Sequence, residues 1–312
     1  MGSFFDSDLD DAASGTMIDN LDGIERALAA STAPVVFGIR SVSGGGSGDF
    51  IAYDTSLRRD TLTLRLPAGQ VGTYAVSPND VWAVVGLFSD TGLDVWRVDI
   101  AGGQFSDPVI HFVQTVDKNG GLDRDSYTAG ITNDGGKIFV GDIDSVRIYD
   151  ATTGNETGDP LKNRFAILVT DKYLLTTEAS IIVRDLANLA VVATLSGAGS
   201  VPVGYAVSAD GRILQVLADN TETDASVALY DLNTFARIGE PMHLDGPAVA
   251  GDIRPDGLEM ALGSGAGTSI WDLDPDHWAT AACALAGRNL TQQEWDTYLL
   301  WDGTYRETCP SS

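Results

Sequence analysis

Between residues 33 and 273 apolar and polar positions alternate in short runs broken by turn residues. The clearest unit spans residues 203–239. An apolar run ends in Ser208-Ala209-Asp210-Gly211, and a second apolar run follows, then a polar stretch over 218–225. A third run closes on Tyr230-Asp231, and a polar tetrad leads to a fourth. Alternation at period two, or full apolarity over four to eight residues, predicts strands. Asp-Gly and Asn-Asp-Gly between the runs supply the positive φ of tight connections.

The unit recurs. Its third run ends near Asp54, Arg97, Asp150, Asp185, Asp231 and Asp272, at gaps of 43, 53, 35, 46 and 41 residues whose mean, 43.6, is the period of four-stranded propeller blades. Blades stack face to face, which asks for middle strands apolar on both faces, and residues 81–88 and 213–218 meet that demand. The expected fold is therefore an all-β propeller over 33–273. Seven blades are favoured over six, because the first unit lacks an obvious innermost strand and the sixth lacks an outermost one. Part of 1–32 would then complete a terminal blade.

The two ends break the pattern. Residues 1–32 read as an acidic tail, followed by a short amphipathic helix in which Leu21, Ile24 and Leu28 fall on one face. Residues 274–312 read as a helical appendage. Asp274-Pro275 starts one helix, with Trp278, Ala281, Ala282 and Leu285 along one side, and Gly287 stops it. Thr291 and Glu294 form a capping box for a second helix.

The units resemble WD-repeat propellers. Trp271-Asp272 is that family's dipeptide, and Tyr53-Asp54, Tyr149-Asp150 and Tyr230-Asp231 are aromatic variants of it. The family's Gly-His pair is absent, so most of its Asp–His–Ser/Thr–Trp hydrogen bonding is expected to be missing. The appendage resembles the ending of large actinobacterial WD-repeat proteins. The residues that carry this likeness are Trp278, Ala282-Cys283, the run 286–291, Glu294-Trp295, Tyr305-Arg306 and Cys309-Pro310. In such proteins the propeller follows signalling modules, often a STAND-type NTPase. The resemblance implies a sensor or interaction part of a bacterial regulatory protein.

Composition narrows the function. The 312 residues carry a formal charge of −25, with 44 acidic side chains against 19 basic ones. A surface this negative repels phosphate backbones and anionic lipid, so neither nucleic acid nor membrane is an expected partner, whereas a basic protein or peptide is. No apolar run reaches the roughly 18 residues of a membrane helix, and the N-terminus lacks the features of a signal peptide, which points to the cytoplasm. Cys283 and Cys309 are the only cysteines. Either they form a disulfide that ties the tail to the first appendage helix, as an extracytoplasmic protein would allow, or they are two reduced thiols.

Candidate chemistry is sparse. His111, His243 and His277 show no metal-ligand spacing, no nucleophile elbow is present, and Gly263–Ser269 lacks the lysine of a phosphate loop. No cofactor is expected. The favoured reading is a non-catalytic interaction propeller. Its partner-binding loop is placed at Asp219, Asn220, Thr221, Glu222, Thr223 and Asp224, the stretch that belongs to no repeat. The alternative is an enzyme or ligand-binding propeller whose dispersed aspartates converge on a central site for a metal or a carbohydrate. The oligomeric state is left open.

Overall fold

The computed structural model describes residues 8–11, 16–20, 24–40, 48–89, 92–113, 127–142, 145–162, 167–177, 180–197, 201–221, 224–299 and 303–309. A hairpin of β1 (Asp8–Asp11) and β2 (Thr16–Asn20) comes first. The first sheet follows, with β3 (Ile24–Ala29), β4 (Val35–Arg40), β5 (Asp49–Asp54) and β6 (Arg59–Arg65). The second has β7 (Val71–Val76), β8 (Trp82–Phe88), β9 (Gly92–Asp99) and β10 (Gln104–Val113). The third has β11 (Thr128–Ile131), β12 (Lys137–Gly141), β13 (Ser145–Asp150) and β14 (Leu161–Lys162). The fourth has β15 (Ile167–Val169), β16 (Tyr173–Thr177), β17 (Ile181–Asp185) and β18 (Val191–Leu195). The fifth has β19 (Val201–Val207), β20 (Ile213–Thr221), β21 (Asp224–Asp231) and β22 (Ala236–Asp245). The sixth stops at three: β23 (Ala248–Ile253), β24 (Glu259–Ser264) and β25 (Gly267–Asp272). Helices α1 (Pro275–Ala286) and α2 (Gln292–Tyr298) end the described chain.

Every sheet is an antiparallel meander in chain order, the build of a propeller blade. Apolar side chains join each sheet to the next. Phe37 and Phe50 meet Val85 between the first and second, and Val84, Val95, Ile131 and Val140 pack between the second and third. Phe139 and Leu174 link the third to the fourth, Val183 and Val216 the fourth to the fifth, and Leu217 and Leu262 the fifth to the sixth. Period-two strands produce this arrangement because their two faces serve two different neighbours.

Two expectations about the first 32 residues and the blade number are corrected. Residues 24–29 form a strand and not a helix. Ile24 pairs with Arg40, Glu25 with Ile39, Leu28 with Phe37 and Ala29 with Val36, with a bulge between Glu25 and Leu28. A bulge shifts the side-chain alternation, so a spacing of three to four residues is as compatible with a bulged strand as with a helix. The segment fills the innermost position of the first sheet, and tertiary pairing overrides a weak local preference. That strand completes the first blade, and among the described residues there are six blade-like sheets, not seven.

The recurrent aspartate has a local cause. In all six sheets the last residue of the third strand pairs with the first residue of the second, and it is Asp54, Asp99, Asp150, Asp185, Asp231 or Asp272. In the second sheet the anchor is thus Asp99 and not Arg97. The carboxylate accepts backbone N–H bonds just ahead, as Asp150 does from Thr152 and Thr153 at 2.9 and 2.8 Å, and Asp231 from Asn233 and Thr234 at 2.8 and 3.1 Å. Four residues past the anchor the chain turns left-handed at Arg58, Gly103, Gly154, Leu189 and Phe235. Asp thus starts the turn into the fourth strand and the left-handed residue ends it. Arg97 does something else: it lies over the Trp82 ring at 4.8 Å and donates to the Gly135 carbonyl at 2.9 Å, joining the second sheet to the third.

The turns between first and second strands lie at the same end of each sheet as these aspartate turns, and they are hydrogen-bonded to one another. Thr32 donates to Asp80, and Asn79 bonds Asn133 at 3.0 and 3.1 Å. Asn133 donates to Asp171 at 2.5 Å, and the Ala209 N–H reaches the Pro255 carbonyl at 3.1 Å. Much of the Asp and Asn content is therefore used for turns and for joining sheets.

Candidate functional site

The sixth sheet is built differently from the others. It lacks a fourth strand, so the outer edge of β25 is unpaired among the described residues. All six residues of β25 are exposed, Ile270 to 50% and Trp271 to 36%. Its two faces differ. Met260 and Leu262 are buried against the fifth sheet, beside Leu217 and Val227. On the opposite face the cross-strand row Asp252–Ala261–Ile270 and the next row, containing Glu259 and Asp272, face outward.

That outward face carries an open cleft of about 230 Å³, lined by Asp252, Arg254, Glu259, Ala261 and Ile270 among others. Arg254 is engaged within it. Its Nε donates to Asp256 at 2.8 Å and its Nη1 reaches Glu259 at 2.5 Å. Hydrogen bonding to Arg254 holds the Asp256 carboxyl below the usual range. Asp252 behaves in the opposite way. Its residue is reachable from solvent, yet protein crowds the carboxyl, and the lost hydration pushes its pKa up. The bond this carboxylate receives is from the neighbouring Ile253 N–H, at 2.8 Å.

Helix α1 extends the surface. Asp274 caps it, Pro275 begins it and left-handed Gly287 ends it, as its sequence predicts. It buries none of its residues. Trp278 is 47% exposed and Leu285 89% exposed. The helix start is held to the end of β25: Trp278 Nε1 donates to the Asp272 carbonyl at 2.6 Å, and His277 Nδ1 lies 2.8 Å from the Asp272 carboxylate. The hydrogen bond to Asp272 raises the His277 pKa.

The remaining appendage packs on itself. Thr291 and Glu294 form the capping box, and the paired Arg288 draws the Glu294 carboxyl down to about 2. Trp295 is buried edge-on to Tyr305, and its indole donates to Gly303. Cys283 and Cys309 are joined by a disulfide, with their Cα atoms 5.5 Å apart.

The stretch expected to be a partner-binding loop is not an irregular loop. Asp219, Asn220 and Thr221 end β20, and Asp224 begins β21. The pairing runs Asp219 to Ala225 and Thr221 to Asp224. Glu222 and Thr223 lie outside the described residues. The polar side chains are used internally: Asp219 accepts from the Ala248 N–H at 2.7 Å, and Asn220 donates to Asp224 at 3.1 Å. Ala218 and Ala225, both fully buried, made strand extension possible, and they were the signal that the polar letters between them obscured. The sixth-sheet surface left a fainter trace, the missing fourth run after Trp271-Asp272.

Other candidate groups do not converge. Among the described residues no three His, Cys, Asp or Glu side chains are placed to hold a metal ion. Among the described residues, the innermost strands β7, β11, β15 and β19 contain no carboxylate and β23 contains Asp252. His111 and His243 each sit beside an aspartate of the adjacent strand, Asp94 at 2.7 Å and Asp224 at 3.7 Å. Among the described residues no helix is long and apolar enough to cross a membrane.

No family model matches the sequence, and no curated relative matches it either. Similarity appears at the level of structure. A chain of the Kuenenia stuttgartiensis hydrazine synthase matches with a TM-score of 0.56 at 15% identity, over 88% of this chain and 82% of that one. At that identity the likeness shows the fold. It corrects one expectation: a fold shared with a chain of an enzyme gives no ground for reading this propeller as non-enzymatic.

Proposed function

We propose that the chain is a protein-interaction propeller that binds an extended segment of a partner protein at its sixth sheet. The segment would lie along β25 as the missing fourth strand. Main-chain hydrogen bonds to the unpaired edge would supply affinity, and Ile270, Trp271 and Trp278 would supply apolar contact. The observation that carries this reading is that, among the described residues, the sixth sheet has three strands with a fully exposed last one, whereas the other five sheets have four. An exposed edge of this kind is normally blunted or covered. Asp256, Glu259, Asp272, Asp274 and Asp276 surround the edge in sequence, and the chain carries −25 overall, which favours a basic partner.

The likeness of the tail to actinobacterial WD-repeat endings supports placing this surface in a bacterial signalling or regulatory protein. The Cys283–Cys309 bridge supports an oxidising compartment over the cytoplasm. Selection of displayed hexapeptides on the intact chain, followed by amide exchange with the winning peptide, tests the binding mode. Protection within Gly267–Asp272 is expected. Binders that protect only other amides, or a selection that yields none, would overturn it.

A further inference from the structure

The first and sixth sheets are the two ends of the sheet order, yet they are covered differently. In β5 four consecutive residues, 50–53, are buried, which covers both faces, because neighbours in a strand point to opposite sides. The strands of the sixth sheet bury Ile253, Met260 and Leu262, and all three lie in one cluster with Ala206, Leu217, Val227 and Leu229 of the fifth. Among the described residues no apolar cluster joins the sixth sheet to the first. The sixth sheet is thus held through one face.

That face contains a misfit. The side chain of Gln215, in β20, is fully buried against Gly251 of β23, and neither polar atom of its amide has a hydrogen-bond partner among the described residues. Hydrogen bonds cross the junction at the two ends of β23. Asp219 accepts from the Ala248 N–H at 2.7 Å, and the Ala209 N–H donates to the Pro255 carbonyl at 3.1 Å. Gly251 and Gln215 meet between those ends. Closing the junction strips the amide of water without giving it a partner. Opening it restores that hydration, which offsets part of the cost of exposing the apolar side chains.

We propose that the sixth sheet leaves the fifth and unravels as one unit while the other five sheets stay folded, and that the Gln215 amide sets how often it does so. Once detached, three strands with no covered face do not hold their pairing, so the step opens backbone hydrogen bonds from β23 to β25. Helix α1 is bonded to Asp272 and moves with them. On the strand-addition reading, a segment paired along β25 binds only the ordered sheet, so order in this sheet reports occupancy. The opening itself belongs to the free chain and stands without that reading.

Native-state hydrogen exchange tests this on the intact chain alone, in urea below the global transition. The paired amides of β23 and β24 are expected to share one opening, with protection at least about 100-fold below that of β20 and β21. Their common urea slope should be less than about half that of β20 and β21, because less surface is exposed. Gln215→Leu should raise the protection of β23 and β24 about fivefold, since the closed state no longer strands an amide. Gln215→Met, which keeps the side-chain length, serves if the leucine variant does not fold, and an unchanged amide spectrum away from the junction establishes folding. Exchange of β23 and β24 together with β20 and β21 overturns the proposal. So does exchange residue by residue with no common slope. Protection of β23 and β24 that is the same in the wild type and the folded variant also overturns it, because the opening would then lie within the sheet and not at its junction.

Discussion

The fifth and sixth sheets are neighbours of similar sequence design, yet only one of them is finished. In the fifth, β21 reads buried at every position but its ends, and β22 supplies a ten-residue outer strand. In the sixth, burial is confined to the side that touches the fifth, and β25 is exposed throughout. The same alternation of apolar residues thus gives a closed core in one case and a surface in the other. Burial is a property of what lies opposite, and a blade face becomes core only when another sheet packs on it.

Core truncation should separate the two sheets most widely. Leu214→Ala in the fifth removes a fully buried side chain packed near Val216 and Tyr230, and is expected to cost about 2–5 kcal/mol. Ile270→Ala in the sixth, at a half-exposed site, should cost less than about 1 kcal/mol. Urea unfolding of the two variants measures the gap, and equal losses would mean that the sixth face is covered.

The junction between these sheets offers a finer probe. Gln215, in the middle of β20, is fully buried, and neither polar atom of its amide has a hydrogen-bond partner among the described residues. That amide nestles against Gly251 of β23, where an added Cβ would lie 2.0 Å from Nε2. Gly251→Ala should therefore destabilise by about 1–3 kcal/mol. Gln215→Leu should stabilise by about 1 kcal/mol, because a buried amide left unpaired is costly. Thermal melts decide both. Combining Gly251→Ala with Gln215→Ala should cost less than the sum of the single changes, since the clash is then gone.

Titration gives smaller effects. The Arg212 hydrogen bond holds the Asp231 carboxyl low, and the Asp274 N–H followed by His277 does so for Asp272. A carboxyl with a depressed folded pKa contributes stability that is complete above its unfolded value, about 3.9, and is lost as pH falls through the folded value. Both anchors therefore add to acid sensitivity. His277 runs the other way. Its raised folded pKa contributes stability that is complete below about 6.5 and is lost as pH rises through the folded value. Urea midpoints from pH 5 to 9 should show a small decline in the wild type that His277→Gln abolishes. An identical decline in the variant would remove His277 as its source.

Much of the architecture was legible in the sequence because its causes are local. Asp231 ends a strand by accepting the N–H groups that follow it, and Gly135 and Gly211 supply left-handed turns, so the blade period is written in turn chemistry. Helix α1 announces itself through Asp274, Pro275 and Gly287 for the same reason. The site was less legible. Asp219 and Asn220 look like loop residues by composition, but the strand pairing of their neighbours Ala218 and Ala225 carries them into the hairpin. Residues 24–29 look helical by spacing, but the open edge of β4 makes them a strand.

By itself the sequence determined where strands stop and turn, since that depends on φ, on hydrogen bonds within a few residues and on alternation along one segment. Only the tertiary structure decided which strand completes the first sheet, that the sixth remains one strand short, and that Asp252 and Ile270 share a cleft. Those outcomes depend on which residues lie opposite one another across strands and sheets, and no local pattern encodes that.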